Sequence, residues 1–169
     1  MKIKLTPQLA YLIGAWKGRK IPKGVGIGGG GEIREIFLKG AMEILKIPPE
    51  KIQLHENEVF FYHAVYRKYF EETEENQVDI FRKRNEHSAS YLAGIFDSCG
   101  GVEGDTPYLA RASYKDQMLL ELLGFRTRFK ERKLVLTNPR EFIIFVRDFL
   151  KHSVIKQALI RSGNERDHH

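Results

Sequence analysis

Three pairs of similar segments recur along this chain of 169 residues, in the same order in each half. The pairs are residues 12–16 with 92–96, residues 42–47 with 120–125, and residues 65–70 with 145–150. The separation along the chain is the same for the first and last pairs and nearly the same for the middle pair. An ordered series at a nearly constant spacing indicates an internal duplication, so each half is expected to fold into a comparable unit.

Both halves predict the same order of elements: helix, two strands, helix, two strands, helix. Thr6-Pro7 and Asn138-Pro139 are typical helix starts, because the first residue caps the helix and proline suits its first turn. Ser88 or Ser90 is the predicted cap of the helix that ends at Gly100. The second half also predicts strands at 126–130 and 133–137.

The duplication sets the expected domain boundaries. Residues 1–76 form the first repeat, residues 77–86 the linker and residues 87–163 the second repeat. The acidic run at 71–79 and the basic residues 82–84 mark the junction. Residues 164–169 are expected to be a disordered tail or part of a purification tag, since they end in His168-His169.

The most specific motif lies at residues 92–100, which read LAGIFDSCG. It resembles the LAGLIDADG motif of homing endonucleases, with seven of nine positions identical or conservative. Residues 12–20, LIGAWKGRK, are a degenerate second copy. Two copies in one chain of this length strengthen the resemblance, which covers nearly the whole sequence.

The resemblance implies an α+β fold of the monomeric two-repeat type. Two pseudo-symmetric αββαββα repeats would place their motif helices side by side, and two four-stranded antiparallel sheets would form a saddle over duplex DNA. Gly14 and Gly94 are expected to pack this central helix pair, because glycine lets two backbones approach closely.

In this family the acid at the eighth motif position binds a divalent metal beside the scissile phosphates. Here the eighth positions are Arg19 and Cys99, and neither suits Mg²⁺, which prefers hard oxygen ligands. Asp97 keeps the acid of the sixth position, where the first copy has Lys17. We therefore expect no catalytic residue, no metal and no cofactor. Asp97 and Glu103 are weak candidates that would require Mg²⁺ and a second converging acid.

Basic residues supply the candidate nucleic-acid contacts. Arg126, Arg128 and Lys130 alternate along one predicted strand and therefore share a face, which Arg132 extends if the turn lies beyond it. Arg19, Lys20 and Lys23 form a second cluster at the end of the first motif. Such rows are suited to phosphates and base edges.

The glycine-rich run at 24–31 contains GxGxxG at Gly24, Gly26 and Gly29. Without a preceding strand of a βαβ unit or a GK[ST] sequence, this run predicts a flexible hairpin rather than a nucleotide-phosphate loop. The aromatic run at 60–62 is expected to be core rather than a stacking surface.

Composition is consistent with these expectations. The net charge is +6, which permits a polyanionic partner, and a single cysteine excludes an intrachain disulfide. Thirty percent of the residues are charged, which is also typical of a protein from a hot habitat. No apolar stretch is long enough to span a bilayer, so we expect a soluble cytoplasmic protein without a membrane partner.

The predicted function is duplex DNA binding without cleavage, by a protein expected to be a monomer. Three alternatives remain open at this point. One is an active Mg²⁺-dependent DNA endonuclease that uses unrecognised acids. Another is an RNA-binding, maturase-like splicing factor. The last is an interaction module whose basic face serves only solubility.

Overall fold

The computed structural model describes residues 2–167, with side chains described through residue 163. The chain is α+β, as predicted, with two antiparallel sheets and a buried helix pair. The helices are α1 (Pro7–Arg19), α2 (Glu32–Glu43), α3 (Ala64–Glu75), α4 (Gln77–Phe81), α5 (Glu86–Cys99), α6 (Tyr114–Leu122), α7 (Pro139–Val146) and α8 (Ser153–Asp167). The strands are β1 (Val25–Gly28), β2 (Gln53–His55), β3 (Glu58–Phe61), β4 (Gly100–Glu103), β5 (Thr106–Ala110), β6 (Thr127–Lys130) and β7 (Lys133–Leu136).

The two motif helices begin at polar caps. The amide of Leu9 donates to the Thr6 hydroxyl at 3.1 Å, and Pro7 follows as the first residue of α1. The cap of α5 is Asn85, whose side chain accepts from the Ser88 amide at 2.9 Å. The predicted caps at Ser88 and Ser90 were therefore wrong. Ser88 instead completes a capping box, because its hydroxyl accepts from the Asn85 amide.

Helices α1 and α5 pack with their backbones in direct contact. A methyl group built at Gly14 would lie 2.1 Å from the carbonyl oxygen of Tyr91. A methyl group built at Gly94 would lie 2.1 Å from the carbonyl oxygen of Tyr11. The contact is reciprocal, since both the glycines and the tyrosines occupy equivalent positions of the two repeats. No residue larger than glycine fits these two positions at this helix separation.

The second sheet has four strands in the order β4-β5-β7-β6. Leu109 is paired with Leu134, and Leu134 with Phe129, so these residues share the face that packs on the core. The alternate residues form the opposite face, which we call the outer face of the second sheet. Arg128 lies on it, paired with Val135.

The first sheet has three strands in the order β1-β3-β2, so the expectation of two four-stranded sheets was wrong for this half. The strand that would precede β1 is reduced to a single bridge between Lys20 and Ile27. Pro22 follows almost at once and has no amide hydrogen to extend the ladder. Gly24 then turns the chain with a φ of 51°.

The junction between the repeats is more helical than the sequence indicated. Helix α3 continues to Glu75, and α4 occupies the start of the predicted linker at 77–86. Gln77 and Phe81 are buried, so α4 is held against the core. At the other end, α8 runs through the start of the predicted tail to Asp167, while His168 and His169 lie outside the described residues.

The aromatic run at 60–62 is only partly core. Phe60 and Phe61 are buried, as predicted, but Tyr62 is 71% exposed. The prediction was wrong for Tyr62, which lies beyond the end of β3 at Phe61. Across residues 2–167, no helix is both long and apolar enough to cross a membrane.

The close helix contact leads to a prediction about Gly94. Gly94→Ala is expected to lower the free energy of unfolding by about 2 kcal/mol or more, because the added methyl group overlaps the Tyr11 carbonyl. Gly40→Ala in α2 is a matched control, since its methyl group would meet only the end of the Leu12 side chain. Urea denaturation followed by circular dichroism measures both. Equal losses for the two variants would contradict a backbone contact at Gly94.

Candidate nucleic-acid interface

The ends of α1 and α5 bring the two eighth-position residues of the motifs to one place. The Nε of Arg19 donates to the backbone carbonyl of Ser98, in the last turn of α5. A cation is favoured there, because the carbonyl ends of a helix carry partial negative charge. Gly29, with a φ of 99°, leaves space for the Arg19 guanidinium, since a methyl group at Gly29 would lie 2.3 Å from its terminal nitrogen.

Cys99, the other eighth-position residue, is a neutral thiol at physiological pH. Burial raises the pKa of the Cys99 thiol to about 11, although the nearby charge of Lys17 partly opposes this effect. A thiol that stays protonated is a poor nucleophile and a poor metal ligand. The structure thus places a guanidinium and a protonated thiol at the end of the helix pair.

Asp97, the weak catalytic candidate, is buried in a different set of contacts. Its Oδ2 accepts from the Tyr11 hydroxyl at 2.5 Å and from the backbone amides of Lys151 and His152 at 2.7 and 3.1 Å. Burial raises the pKa of Asp97, and these hydrogen bonds oppose the increase without cancelling it. The carboxyl group joins α1, α5 and the segment that leads into α8.

Lys17, at the sixth position of the first motif, also turns into a buried network. Its Nζ lies 2.9 Å from Oδ1 of Asp116, and the two side chains are 11% and 6% exposed. Asp116 also accepts from Gln77 Nε2 at 2.8 Å and from the Ser113 amide at 2.8 Å. Burial alone would raise the pKa of Asp116, but Lys17 and these hydrogen bonds bring it below its usual value. Tyr91 extends the network by donating to Gln77.

This network was missed at the sequence level. Its signal was Ser113-x-x-Asp116, a capping-box pattern at the start of α6, where each side chain bonds the backbone amide of the other. The pattern predicts the helix start. It does not show that Asp116 also reaches Lys17, which is 99 residues away in sequence.

Asp97, Asp116 and Glu103 are held in separate sets of contacts. Asp97 and Asp116 belong to two separate hydrogen-bond networks, and both are engaged by donors from the protein. Glu103 is on the second sheet, where its hydrogen bond from Lys133 at 3.0 Å lowers the pKa of its carboxyl group. In the part of the chain that the structure describes, no group of three or more His, Cys, Asp or Glu residues is placed to hold a metal ion. The residues present at the motif ends therefore do not fit Mg²⁺.

The basic row lies on the outer face of the second sheet. Arg128 and Lys130 are exposed in β6 and, with Tyr108 and Val135, line a shallow pocket of about 130 Å³. Arg126 is exposed just before the strand. Among the described residues, none of these three cations has an ion-pair partner. Glu103 also lines this pocket and feels the charge of Lys130, so Arg126 and Arg128 are the cations most available to a polyanion.

Arg132 does not extend this row. The turn between β6 and β7 comprises Glu131 and Arg132, and Glu131 has a φ of 60°. The exposed side chain of Arg132 therefore belongs to the hairpin tip, and the strand row ends at Lys130.

The second predicted cluster, Arg19, Lys20 and Lys23, differs from the basic row because its two lysines already form ion pairs with glutamates. Lys20 Nζ lies 2.7 Å from Glu74, and Lys23 Nζ lies 2.7 Å from Glu58. Each lysine also lies over an aromatic ring, 5.2 Å from the Trp16 centroid for Lys20 and 5.3 Å from the Phe60 centroid for Lys23. The first half thus presents fewer free cations than the second.

The glycine run is a strand and a turn rather than a phosphate loop. Gly26 and Gly28 belong to β1, whose neighbour β3 is antiparallel. Gly29 and Gly31 have positive φ values of 99° and 75° in the connection to α2. A dinucleotide-binding loop requires a parallel βαβ unit, so this sheet does not supply its framework.

No protein-family model matches the sequence, and no curated protein is significantly similar to it. Solved structures do share the fold. The homing endonuclease I-DmoI in complex with DNA and manganese superposes with a TM-score of 0.61 at 17% identity, over 86% of this chain and 97% of that chain. A structure from a study of mesophilic variants of I-DmoI gives a TM-score of 0.62 at 17% identity, over 85% and 95% of the two chains.

These similarities define the class of fold. The predicted resemblance to LAGLIDADG homing endonucleases is confirmed at the level of the fold. The structures named above are both of I-DmoI, and their identity of 17% shows the fold alone.

Opposite pH dependences are expected for the two buried carboxyl groups. The raised pKa of Asp97 means that its contribution to stability is complete below the ordinary carboxyl pKa of about 4 and is lost as the pH rises through the raised value. The lowered pKa of Asp116 means that its contribution is complete above about 4 and is lost as the pH falls through the lowered value.

Urea denaturation of the wild type, Asp97→Asn and Asp116→Asn across this pH range measures the difference. Asp116→Asn is expected to cost about 3 kcal/mol at neutral pH, because it leaves the Lys17 charge buried without its partner. Asp97→Asn is expected to cost less there, and its deficit relative to the wild type should grow on acidification. If the stability deficits of the two variants changed with pH in the same direction, the assignment of a raised pKa to Asp97 and a lowered pKa to Asp116 would be wrong.

Proposed function

We propose that this protein binds duplex DNA through the outer face of the second sheet and does not cleave it. The observation that carries the proposal is the row Arg126, Arg128 and Lys130, which is exposed and has no ion-pair partner among the described residues. The shared fold with I-DmoI, solved in complex with DNA, supports the same ligand class. The alternation of the row along one strand face gives a spacing suited to successive phosphates and base edges.

The non-cleaving part of the proposal is supported by the residues at the motif ends. Arg19 occupies one eighth position and donates to a helix carbonyl, while Cys99 occupies the other with a raised thiol pKa of about 11. A guanidinium repels a divalent cation but attracts a phosphate. Arg19 is therefore proposed as a contact to the DNA backbone near the centre of the bound site, with a monomer as the binding unit.

Binding is tested with a labelled duplex of random sequence by fluorescence anisotropy at several salt concentrations. Affinity is expected to fall steeply with salt, with a slope of about 0.9 for each phosphate neutralised. Arg128→Ala should reduce that slope by about 1 and weaken binding by several-fold. Arg140→Ala is the matched control, because it removes an exposed arginine from α7, outside the sheet. If the two substitutions weakened binding equally, the outer face of the second sheet would not be the binding surface.

A separate experiment addresses cleavage. The protein is incubated with Mg²⁺ and a plasmid library of randomised sites, and new DNA ends are sequenced, with a chelator-treated sample as control. We expect no enrichment of ends at any sequence, because the two eighth positions hold a guanidinium and a protonated thiol instead of the carboxylates that Mg²⁺ prefers. Mg²⁺-dependent ends at a defined sequence would refute the non-cleaving proposal and favour an endonuclease.

A further inference from the structure

Three aromatic rings form a continuous group on the outer side of the first sheet. The rings of His55 and Phe60 are stacked, with centroids 5.8 Å apart and an interplanar angle of 22°. The Tyr62 ring meets Phe60 edge-on, with centroids 5.7 Å apart. His55 is paired with Glu58, and Phe60 is two residues further along β3, so these residues share one face of the sheet. Tyr62 comes directly after β3 and joins them through its contact with Phe60. We call His55, Phe60 and Tyr62 the aromatic platform.

The platform has one buried ring and two exposed rings, and an exposed ring can stack against a planar ligand. Phe60 is only 6% exposed and supports its neighbours, while Tyr62 is 71% exposed and His55 is also exposed. Tyr62 therefore offers an open ring face held at its edge by Phe60. A tyrosine so placed loses little conformational freedom when a second ring stacks on it.

The strand beside the platform contributes no side chains to this face. Gly26 is paired with Phe60 and Gly28 with Glu58. A methyl group built at Gly26 would lie 2.3 Å from Cβ of Phe60, and one built at Gly24 would lie 3.1 Å from Cδ1 of Tyr62. The platform thus lies against bare backbone, and nothing rises from β1 to prevent a flat ligand from reaching the rings.

The platform offers stacking rather than charge. Its nearest lysine, Lys23, is paired with Glu58 at 2.7 Å, in contrast to the unpaired Arg128 and Lys130 of the second sheet. Bases inside a duplex are already stacked on each other, so an aromatic side chain on a groove-facing sheet cannot reach their faces. Unpaired bases expose those faces and stack on aromatic rings.

The position of the platform connects it to the basic row. In the second half β4 follows Cys99 directly, and in the first half Arg19 is followed by the bridge from Lys20 to Ile27 of β1. The Arg19 guanidinium lies against Gly29, which follows Gly28, and Gly28 is paired with Glu58, the cross-strand neighbour of His55. A nucleic acid that contacts both the basic row and Arg19 would meet the first sheet at this end of β1.

We infer that the aromatic platform binds unpaired bases, so that the preferred ligand is a duplex joined to a single-stranded segment. This inference rests on the proposed DNA-binding function and specifies its ligand. The basic row of the second sheet holds the phosphates of the duplex part, and Tyr62 and His55 stack on bases of the single-stranded part.

The test compares a blunt duplex, the same duplex with a single-stranded extension, and the single strand alone, all by anisotropy with the full chain. The extended duplex is expected to bind about tenfold more tightly than the blunt one, as one stacked base would produce. Tyr62→Ala should abolish this advantage and leave blunt-duplex affinity unchanged, whereas Tyr62→Phe should keep it. Tyr114→Ala removes another exposed tyrosine, whose ring contacts Phe129 of β6, and it should keep the advantage of the extension over the blunt duplex.

The outcomes separate this inference from the function on which it rests. If the extension adds no affinity, or if its advantage survives Tyr62→Ala, the aromatic platform does not bind unpaired bases. Salt-sensitive binding of the blunt duplex would still support the proposed function in that case. Binding of the single strand alone that requires Tyr62, without binding of the blunt duplex, supports the platform and overturns the duplex proposal. Absence of binding to all three ligands overturns both.

Discussion

The direct backbone contact between α1 and α5 is the constraint on which the other features of this molecule depend. At Gly14 and Gly94 the opposing helix carbonyl occupies the space that a side chain would need. Because the helices are held this close, their last residues end side by side, and Arg19 reaches the carbonyl of Ser98 across the contact. Strand β4 follows Cys99 directly and the bridge from Lys20 to Ile27 follows Arg19, so the helix ends position the start of β4 and the edge of β1.

The interior around the helix pair contains polar and charged side chains as well as apolar ones. These polar groups form hydrogen bonds and ion pairs that hold the elements together. Tyr11 and Tyr91 are equivalent residues of the two repeats, and both send their hydroxyls into buried networks, one to Asp97 and the other to Gln77. Lys17 and Asp116 are joined across 99 residues of sequence. Buried groups of this kind require partners, since an unpaired one is costly. Asp116 and the Oδ2 atom of Asp97 are engaged in structural hydrogen bonds, whereas Oδ1 of Asp97 is buried without a hydrogen-bond partner among the described residues.

The outer faces of the two sheets differ in the chemistry that they expose to a ligand. The second has four strands and a row of free cations, which suits phosphates. The first has three strands, a bare glycine strand and an aromatic group, with its lysines already paired. One chain therefore carries two surfaces of different chemistry. The proposed ligand, part duplex and part single strand, follows from that difference.

The sequence by itself predicted the motif helices and the alternation that puts Arg128 and Lys130 on one strand face, and the resemblance of its motif implied the α+β class. The helices and the alternation follow from local periodicity, caps and glycine positions, which depend on neighbouring residues. Only the tertiary structure decided which charges are free, because Lys17 and Lys23 find partners 99 and 35 residues away. It also decided that Tyr62 is exposed and that the strand before β1 is lost, because these outcomes depend on how distant segments pair. A residue's type sets the chemistry available to it, but burial and long-range contacts determine whether that chemistry faces a ligand.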